Sequence, residues 1–205
     1  MTKIKLCGLT RECDIRVANE LKVDYIGFVF AKKSRRYIEP DRAKELKAML
    51  SPEIKALGVF VDETPEYIAK LLGTGVIDIA QLHGKEDDVY VRKLKSMTDA
   101  PIIKAYRIDG EADIHRAKAS AADYVLLDSG TGGTGSSFDW SLVKDIDRPY
   151  FLAGGLHKDN VGEAVRLLHP YAVDVSSGIE TDGLKDRDKL AEFTAIVRKE
   201  NKDDE

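Results

Sequence analysis

A thiol and a carboxyl group close two short apolar runs far apart in the chain, and together they are the residue types of a general base and a general acid. Cys7 ends Lys3-Ile4-Lys5-Leu6-Cys7, and Asp128 ends Tyr124-Val125-Leu126-Leu127-Asp128. Side chains alternate along a strand, so Lys5 shares a face with Cys7, and a nearby ammonium favours the thiolate that a base must be. A carboxyl group partly desolvated at a strand end has its pKa raised toward the range of a useful acid. Each also has a plainer reading, since a free cysteine is usually a small buried hydrophobe and an aspartate before glycines is often a turn or helix cap. Cys13, inside the first helical stretch, keeps the plainer one.

Small residues supply the second chemical theme, anion binding. Gly154-Gly155 follows Phe151-Leu152-Ala153, and Ser176-Ser177-Gly178-Ile179-Glu180 follows another apolar run. Backbone N–H groups of such residues can approach a phosphate, and a short helix starting near Ser177 would aim its positive end at the anion. The basic run Lys32–Arg36 reads mainly as solvated surface. Arg36 within it suits a planar carboxylate, held by two parallel hydrogen bonds opposite the phosphate. The glycine-rich Gly130–Ser137 gives loop mobility or close backbone approach; no Gly-Lys-Ser/Thr ending follows, which disfavours a Walker-type nucleotide loop.

Something must bring these residues together. Short β-rich runs alternate with amphipathic ones along the whole chain, the pattern of repeated βα units. Strands are expected at Lys3–Cys7, Tyr25–Phe30, Ile54–Val61, Ile77–Leu82, Ile102–Arg107, Tyr124–Asp128, Tyr150–Ala153 and Ala172–Ser176. Helices are expected at Arg11–Leu21, Asp87–Ser96, Ala112–Ser120, Trp140–Ile146, Asp159–Leu168 and Arg187–Lys199. Two more start behind Glu39-Pro40-Asp41 and Thr64-Pro65-Glu66, with Gly73 and Gly75 as stop. Eight units favour an α/β fold, a single-domain (β/α)8 TIM barrel over residues 1–205, above an open doubly wound sheet. The charged tail from about residue 199 reads as solvated. Such a barrel builds its site at the C-terminal strand ends, where Cys7, Arg36, His83, Asp128, Gly154-Gly155 and Ser176-Ser177-Gly178 all fall.

A chain of 205 residues, 43% hydrophobic and 33% charged, can bury one good core. Its net charge of -4 removes the broad positive footing of a nucleic-acid binder, while leaving room for a local anion site. No apolar run approaches a membrane span and the opening residues lack a signal-peptide core, so a cytoplasmic protein is expected. Two cysteines read as free thiols in a reducing compartment, and with four scattered histidines they show no zinc-ligand spacing; no metal is expected. A monomer is preferred, because a small barrel needs no partner to close its core; a homodimer stays open.

The ordered blocks Lys5-Leu6-Cys7-Gly8-Leu9-Thr10, Gly27-Phe28-Val29-Phe30 with Ser34-Arg35-Arg36-Tyr37, Gln81-Leu82-His83-Gly84, Leu127-Asp128 with Gly132-Gly133-Thr134-Gly135 and Phe138-Asp139-Trp140, Ala153-Gly154-Gly155-Leu156, and Asp174-Val175-Ser176-Ser177-Gly178-Ile179-Glu180 resemble the signature of the phosphoribosylanthranilate isomerase family. The resemblance implies an Amadori rearrangement of N-(5'-phosphoribosyl)anthranilate in tryptophan biosynthesis, with a small phosphosugar as the partner and no cofactor. It implies Cys7 as base, Asp128 as acid, Arg36 on the anthranilate carboxylate, and Gly154, Gly155, Ser176, Ser177 and Gly178 around the phosphate. His83 and Asp174 belong to matching blocks and are expected to line the site. Another phosphosugar barrel, such as an indole-glycerol-phosphate synthase, is the alternative; it would use a catalytic lysine with carboxylates. A non-catalytic phospholigand sensor would be expected to have lost the acid or the base.

Overall fold

The computed structural model describes residues 1–128, 140–143 and 146–203. Eight parallel strands, β1 (Lys3–Cys7), β2 (Tyr25–Val29), β3 (Lys55–Phe60), β4 (Ile79–Leu82), β5 (Ile102–Arg107), β6 (Tyr124–Asp128), β7 (Tyr150–Ala153) and β8 (Ala172–Val175), form a closed barrel in sequence order. The ring closes where β1 pairs with β8, with Lys5 opposite Asp174. Around it lie α1 (Glu12–Glu20), α2 (Pro40–Lys47), α3 (Pro65–Gly73), α4 (Asp88–Lys95), α5 (Glu111–Lys118), α6 (Val161–Leu168) and α7 (Arg187–Asp203). A two-stranded hairpin, β9 (Glu180–Thr181) and β10 (Leu184–Lys185), sits between β8 and α7.

The expected alternation is therefore observed, and its physical causes are visible. Tyr25–Val29 is buried throughout, as befits a strand covered on both faces. On α6 the buried residues are Val161, Ala164, Val165 and Leu168, a stripe at helical spacing laid on the barrel. Burying each Val or Leu of that stripe contributes roughly 1.5–3 kcal/mol. Start signals operate as read: Thr64 Oγ1 accepts from the Tyr67 amide at 3.4 Å with Pro65 opening α3, and Asp87 accepts from the Tyr90 amide at 2.8 Å.

Inside the barrel, Tyr25, Leu57, Ile79, Ile103, Leu126 and Phe151 form one apolar plug. Later positions of the same inward-facing rows are polar: Lys5 on β1, Gln81 on β4 and Asp174 on β8 are all buried. Beyond them come Cys7, Val29 and Val59. The plug makes the barrel a platform with chemistry at one end only.

Four local differences from the sequence reading arise. Trp140–Val143 is a 3-10 turn instead of the start of a longer helix, while residues 129–139, including the glycine-rich stretch and Phe138-Asp139, lie outside the described residues, as do 144 and 145. Helix α6 starts at Val161, because Asn160 Oδ1 is taken by the His157 amide at 2.8 Å in a turn of its own. The hairpin β9–β10 was not anticipated; Asp182 and Gly183 turn it with φ of 51° and 79°. Finally, the charged tail is not simply solvated. Helix α7 runs to Asp203, and buried Asn201 clasps Thr2, accepting from its amide at 2.7 Å and donating to its carbonyl at 2.9 Å.

Candidate active site

One cavity of about 350 Å³ opens at the C-terminal end of the barrel and collects nearly every residue singled out above: Cys7, Arg36, His83, Asp128, Gly154, Gly155, Asp174, Ser176 and Ser177 line it. Side-chain parity explains the gathering. Cys7, Asp128 and Asp174 occupy the inward row of their strands, and His83 and Ser176 continue that row by one step.

Cys7 ends β1, and the chain leaves through Gly8 at φ 81°. A side chain at Gly8 would meet Arg36 Cδ at 2.4 Å, so glycine there lets the arginine stem pass over the strand end. Below the thiol, Lys5 is wholly buried and its Nζ lies 2.7 Å from Asp174 Oδ2. Gly27 makes room for both groups; a Cβ there would stand 2.8 Å from Cys7 Sγ and 3.3 Å from Lys5 Nζ. Burial is the largest influence on the thiol and pushes its pKa above the usual value, and the Lys5 charge only partly offsets it. Burial alone would lower Lys5, but Asp174 and Cys7 overcome it and the ammonium is retained.

On the other side of the barrel, Asp128 ends β6, and its Oδ2 lies 3.3 Å from His83 Nε2. Gln81 Nε2 lies 3.0 Å from His83 Nδ1, so the glutamine orients the ring that faces Asp128. The sequence reading passed over Gln81, although it stands two residues before His83 on the same inward row and within the same quoted block. Its Oε1 and the Oδ1 of Asp174 are buried polar atoms without a partner among the described residues.

The loops after β7 and β8, expected to meet an anion, are shaped by small residues. Gly154 and Gly155 have φ of 90° and 62°, conformations that need glycine, and they turn the chain after β7. After β8, the short helix expected near Ser177 is a single 3-10 turn over Ser177–Ile179, and Ser176 Oγ donates to the Cys7 carbonyl at 3.2 Å, tying this loop to the end of β1. Gly178 does not line the cavity. A Cβ on it would stand 2.0 Å from the Leu156 carbonyl, so its part is to let the loops after β7 and β8 close on one another.

Arg36 reaches the cavity with one edge already engaged: Nε and Nη2 hold Glu180 at 2.6 and 2.9 Å. The Nε edge is thus taken, and Nη1 with the second Nη2 proton is what is left for the two parallel hydrogen bonds expected of this residue. Arg36 is raised further, first by the Glu180 hydrogen bond. Glu180 and Lys185, also missed from sequence, meet at 2.7 Å behind it. Among the described residues no group of three or more His, Cys, Asp or Glu could hold a metal ion, and no helix is long and apolar enough to cross a membrane. A thiol and a carboxyl group lining one cavity with two small-residue loops and a guanidinium have the chemistry for proton transfers on a ligand that is anionic at both ends.

Comparison with known proteins agrees. Residues 4–195 match the family model described as N-(5'phosphoribosyl)anthranilate (PRA) isomerase. The N-(5'-phosphoribosyl)anthranilate isomerase of Endomicrobium trichonymphae is 44% identical over 202 residues, covering 97% of this chain and 99% of that one. The phosphoribosyl anthranilate isomerase structure from Thermotoga maritima is 37% identical with TM-score 0.90, covering 97% of this chain and 100% of that one. Another such isomerase, solved in complex with reduced 1-(o-carboxyphenylamino)-1-deoxyribulose 5-phosphate, is 36% identical with TM-score 0.87 over the same shares.

Proposed function

This chain belongs to the N-(5'-phosphoribosyl)anthranilate isomerase family, and on that footing we propose how its own residues carry the reaction. It is an aldose-ketose isomerase of tryptophan biosynthesis, converting N-(5'-phosphoribosyl)anthranilate to 1-(2-carboxyphenylamino)-1-deoxyribulose 5-phosphate. The observation that carries the assignment of roles is the shared cavity, in which Cys7 from β1 and Asp128 from β6 stand with Arg36 and the two glycine-serine loops.

Asp128 is the acid. It protonates the furanose ring oxygen as the bond from that oxygen to C1' breaks, and the anthranilate nitrogen lone pair forms the iminium. Cys7 is the base. As thiolate it removes the C2' proton, whose electron pair forms the C1'–C2' double bond while the iminium π electrons return to nitrogen. The resulting enolamine tautomerises by moving a proton from the C2' hydroxyl to C1', giving the ketone. Lys5 favours the thiolate against the burial that opposes it. Gly154, Gly155, Ser176 and Ser177 hold the phosphate, Arg36 the anthranilate carboxylate, and His83 and Asp174 line the path between. Fixing both ends places C2' and the ring oxygen between base and acid, which is where much of the rate is gained.

No cofactor enters this scheme. A monomer in the cytoplasm is taken as the working form, because a small barrel closes its core without a partner, with a homodimer to be tested by sedimentation. The decisive test follows anthranilate-type fluorescence as the protein meets freshly generated phosphoribosylanthranilate. Loss well above spontaneous breakdown, abolished by Cys7→Ser, is expected; loss that survives Cys7→Ser removes Cys7 from the role of base.

A further inference from the structure

Glu180 opens the hairpin after β8 and is buried, although it carries a charge and belongs to neither the acid-base pair nor the backbone grip. Both its oxygens are saturated. Oε1 accepts from Arg36 Nε at 2.6 Å and Lys185 Nζ at 2.7 Å; Oε2 accepts from Arg36 Nη2 at 2.9 Å and Arg35 Nη2 at 2.7 Å. The same Lys185 ammonium donates to the Ser176 carbonyl at 2.8 Å, and Lys189 Nζ donates to the Glu180 carbonyl at 2.7 Å.

We infer that Glu180 is a positioning residue of this isomerase, orienting the Arg36 guanidinium toward the substrate carboxylate and fixing it relative to the phosphate loop through Lys185. The inference rests on the reading of Arg36 as the carboxylate-binding residue. A guanidinium is planar with five N–H donors, so two contacts on its Nε–Nη2 edge fix the plane and leave Nη1 and the second Nη2 proton for a ligand. Without them a long side chain would have to be ordered when substrate arrives, at a cost in affinity. Glu180 removes that cost beforehand. It also sets spacing, because Arg36 and Lys185 share Oε1, so the distance between the carboxylate end and the Ser176 loop is held by one atom. Burial alone would raise this carboxyl group, but Arg36 and Lys185 outweigh it and bring it down to about 2, so it stays charged wherever the enzyme works. Three basic side chains, Arg35, Arg36 and Lys185, against one acid leave net positive charge for an anionic ring substituent.

The test compares two ligands, reduced 1-(o-carboxyphenylamino)-1-deoxyribulose 5-phosphate and the same molecule without the ring carboxylate. Their ratio of Kd values isolates the carboxylate's contribution, roughly tenfold to hundredfold for a charge-assisted contact. Glu180→Gln, which turns one acceptor into a donor facing Arg36, is expected to bring the ratio close to one. Glu180→Asp keeps the charge but is too short for both Arg36 contacts, and is expected to fall between; it carries the test if the Gln protein does not fold. Equal weakening of both ligands, with the ratio intact, would overturn the inference and leave Glu180 a structural residue. Arg36→Ala separates the two layers. A ratio that survives it refutes the reading of Arg36, whereas a ratio lost there but kept in both Glu180 variants refutes only the positioning role.

Discussion

The Lys5 ammonium lies beneath Cys7 on the same inward row of β1, and it is the Asp174 carboxylate at 2.7 Å, not the thiol, that takes its direct ion pair. Lys5 thus acts on Cys7 through its charge and a side-chain hydrogen bond while shared with Asp174, and burial still leaves the thiol above its ordinary value of 9.0. Deprotonation by alkali should therefore govern the reactivity of Cys7. The iodoacetamide alkylation rate is expected to keep climbing past pH 9, and Lys5→Met should move the curve to still higher pH. An unmoved curve would remove Lys5 from the thiol's electrostatics.

Replacing the acid or the base should strike turnover and leave the fold intact. Cys7→Ser and Asp128→Asn are each expected to lower kcat by about 10²-fold or more, with circular dichroism unchanged. Near-normal turnover in either variant contradicts its role.

Arg36→Ala removes a contact made in ground and transition states alike, so KM should rise, about tenfold or more, with kcat changing less. It also strips two of the four donors from buried Glu180, so a Tm loss should accompany it. A fall confined to kcat would count against the carboxylate contact.

Gly178→Ala should be costly despite lying outside the cavity. The new methyl would stand 2.0 Å from a carbonyl oxygen of the neighbouring loop, and backbone has to shift to admit it. We expect a loss of roughly 2–3 kcal/mol, or about 5–10 °C in Tm, together with weaker inhibition by inorganic phosphate. Unchanged phosphate affinity would separate the packing of these loops from anion binding.

Acid should reveal Glu180. Its ordinary value of 4.5 falls to about 2 in the folded protein. A carboxyl group lowered on folding stabilises fully above its unfolded value, and that contribution fades as pH drops through the folded one. The urea stability gap between wild type and Glu180→Gln should thus be constant from pH 7 to about 5 and narrow toward pH 2. A gap independent of pH would mean that the charge is not what the buried site selects.

Much of this molecule was legible in its sequence because two periodicities carry the information. Short β-rich runs marked all eight strands, and side-chain parity along β1 put Cys7 and Lys5 on one face. Residues that end strands were readable for the same reason. Gln81 and Glu180 were harder, since a glutamine inside an apolar strand and a glutamate after a serine-rich turn have no local property that names a partner. Glu180 owes its place to Arg36, 144 positions earlier, and pairings of that range are not encoded in spacing. The small hairpin did have a local signal, Asp182-Gly183, but flanking strands of two residues are too short to show alternation. Asn201 looked like part of a polar tail because nothing nearby reveals that Thr2 awaits it.

The meeting of β1 with β8 has a consequence for biosynthesis. Cys7 precedes Asp174, Ser176 and Lys185, which surround it, by 167 or more positions. A growing polypeptide therefore carries Cys7 through the synthesis of all the residues between them without the neighbours that tune it. Closing contacts of such range is slow. Catalytic competence should appear abruptly, once the last strand and the hairpin leave the ribosome, and truncated intermediates should hold a thiol with ordinary reactivity.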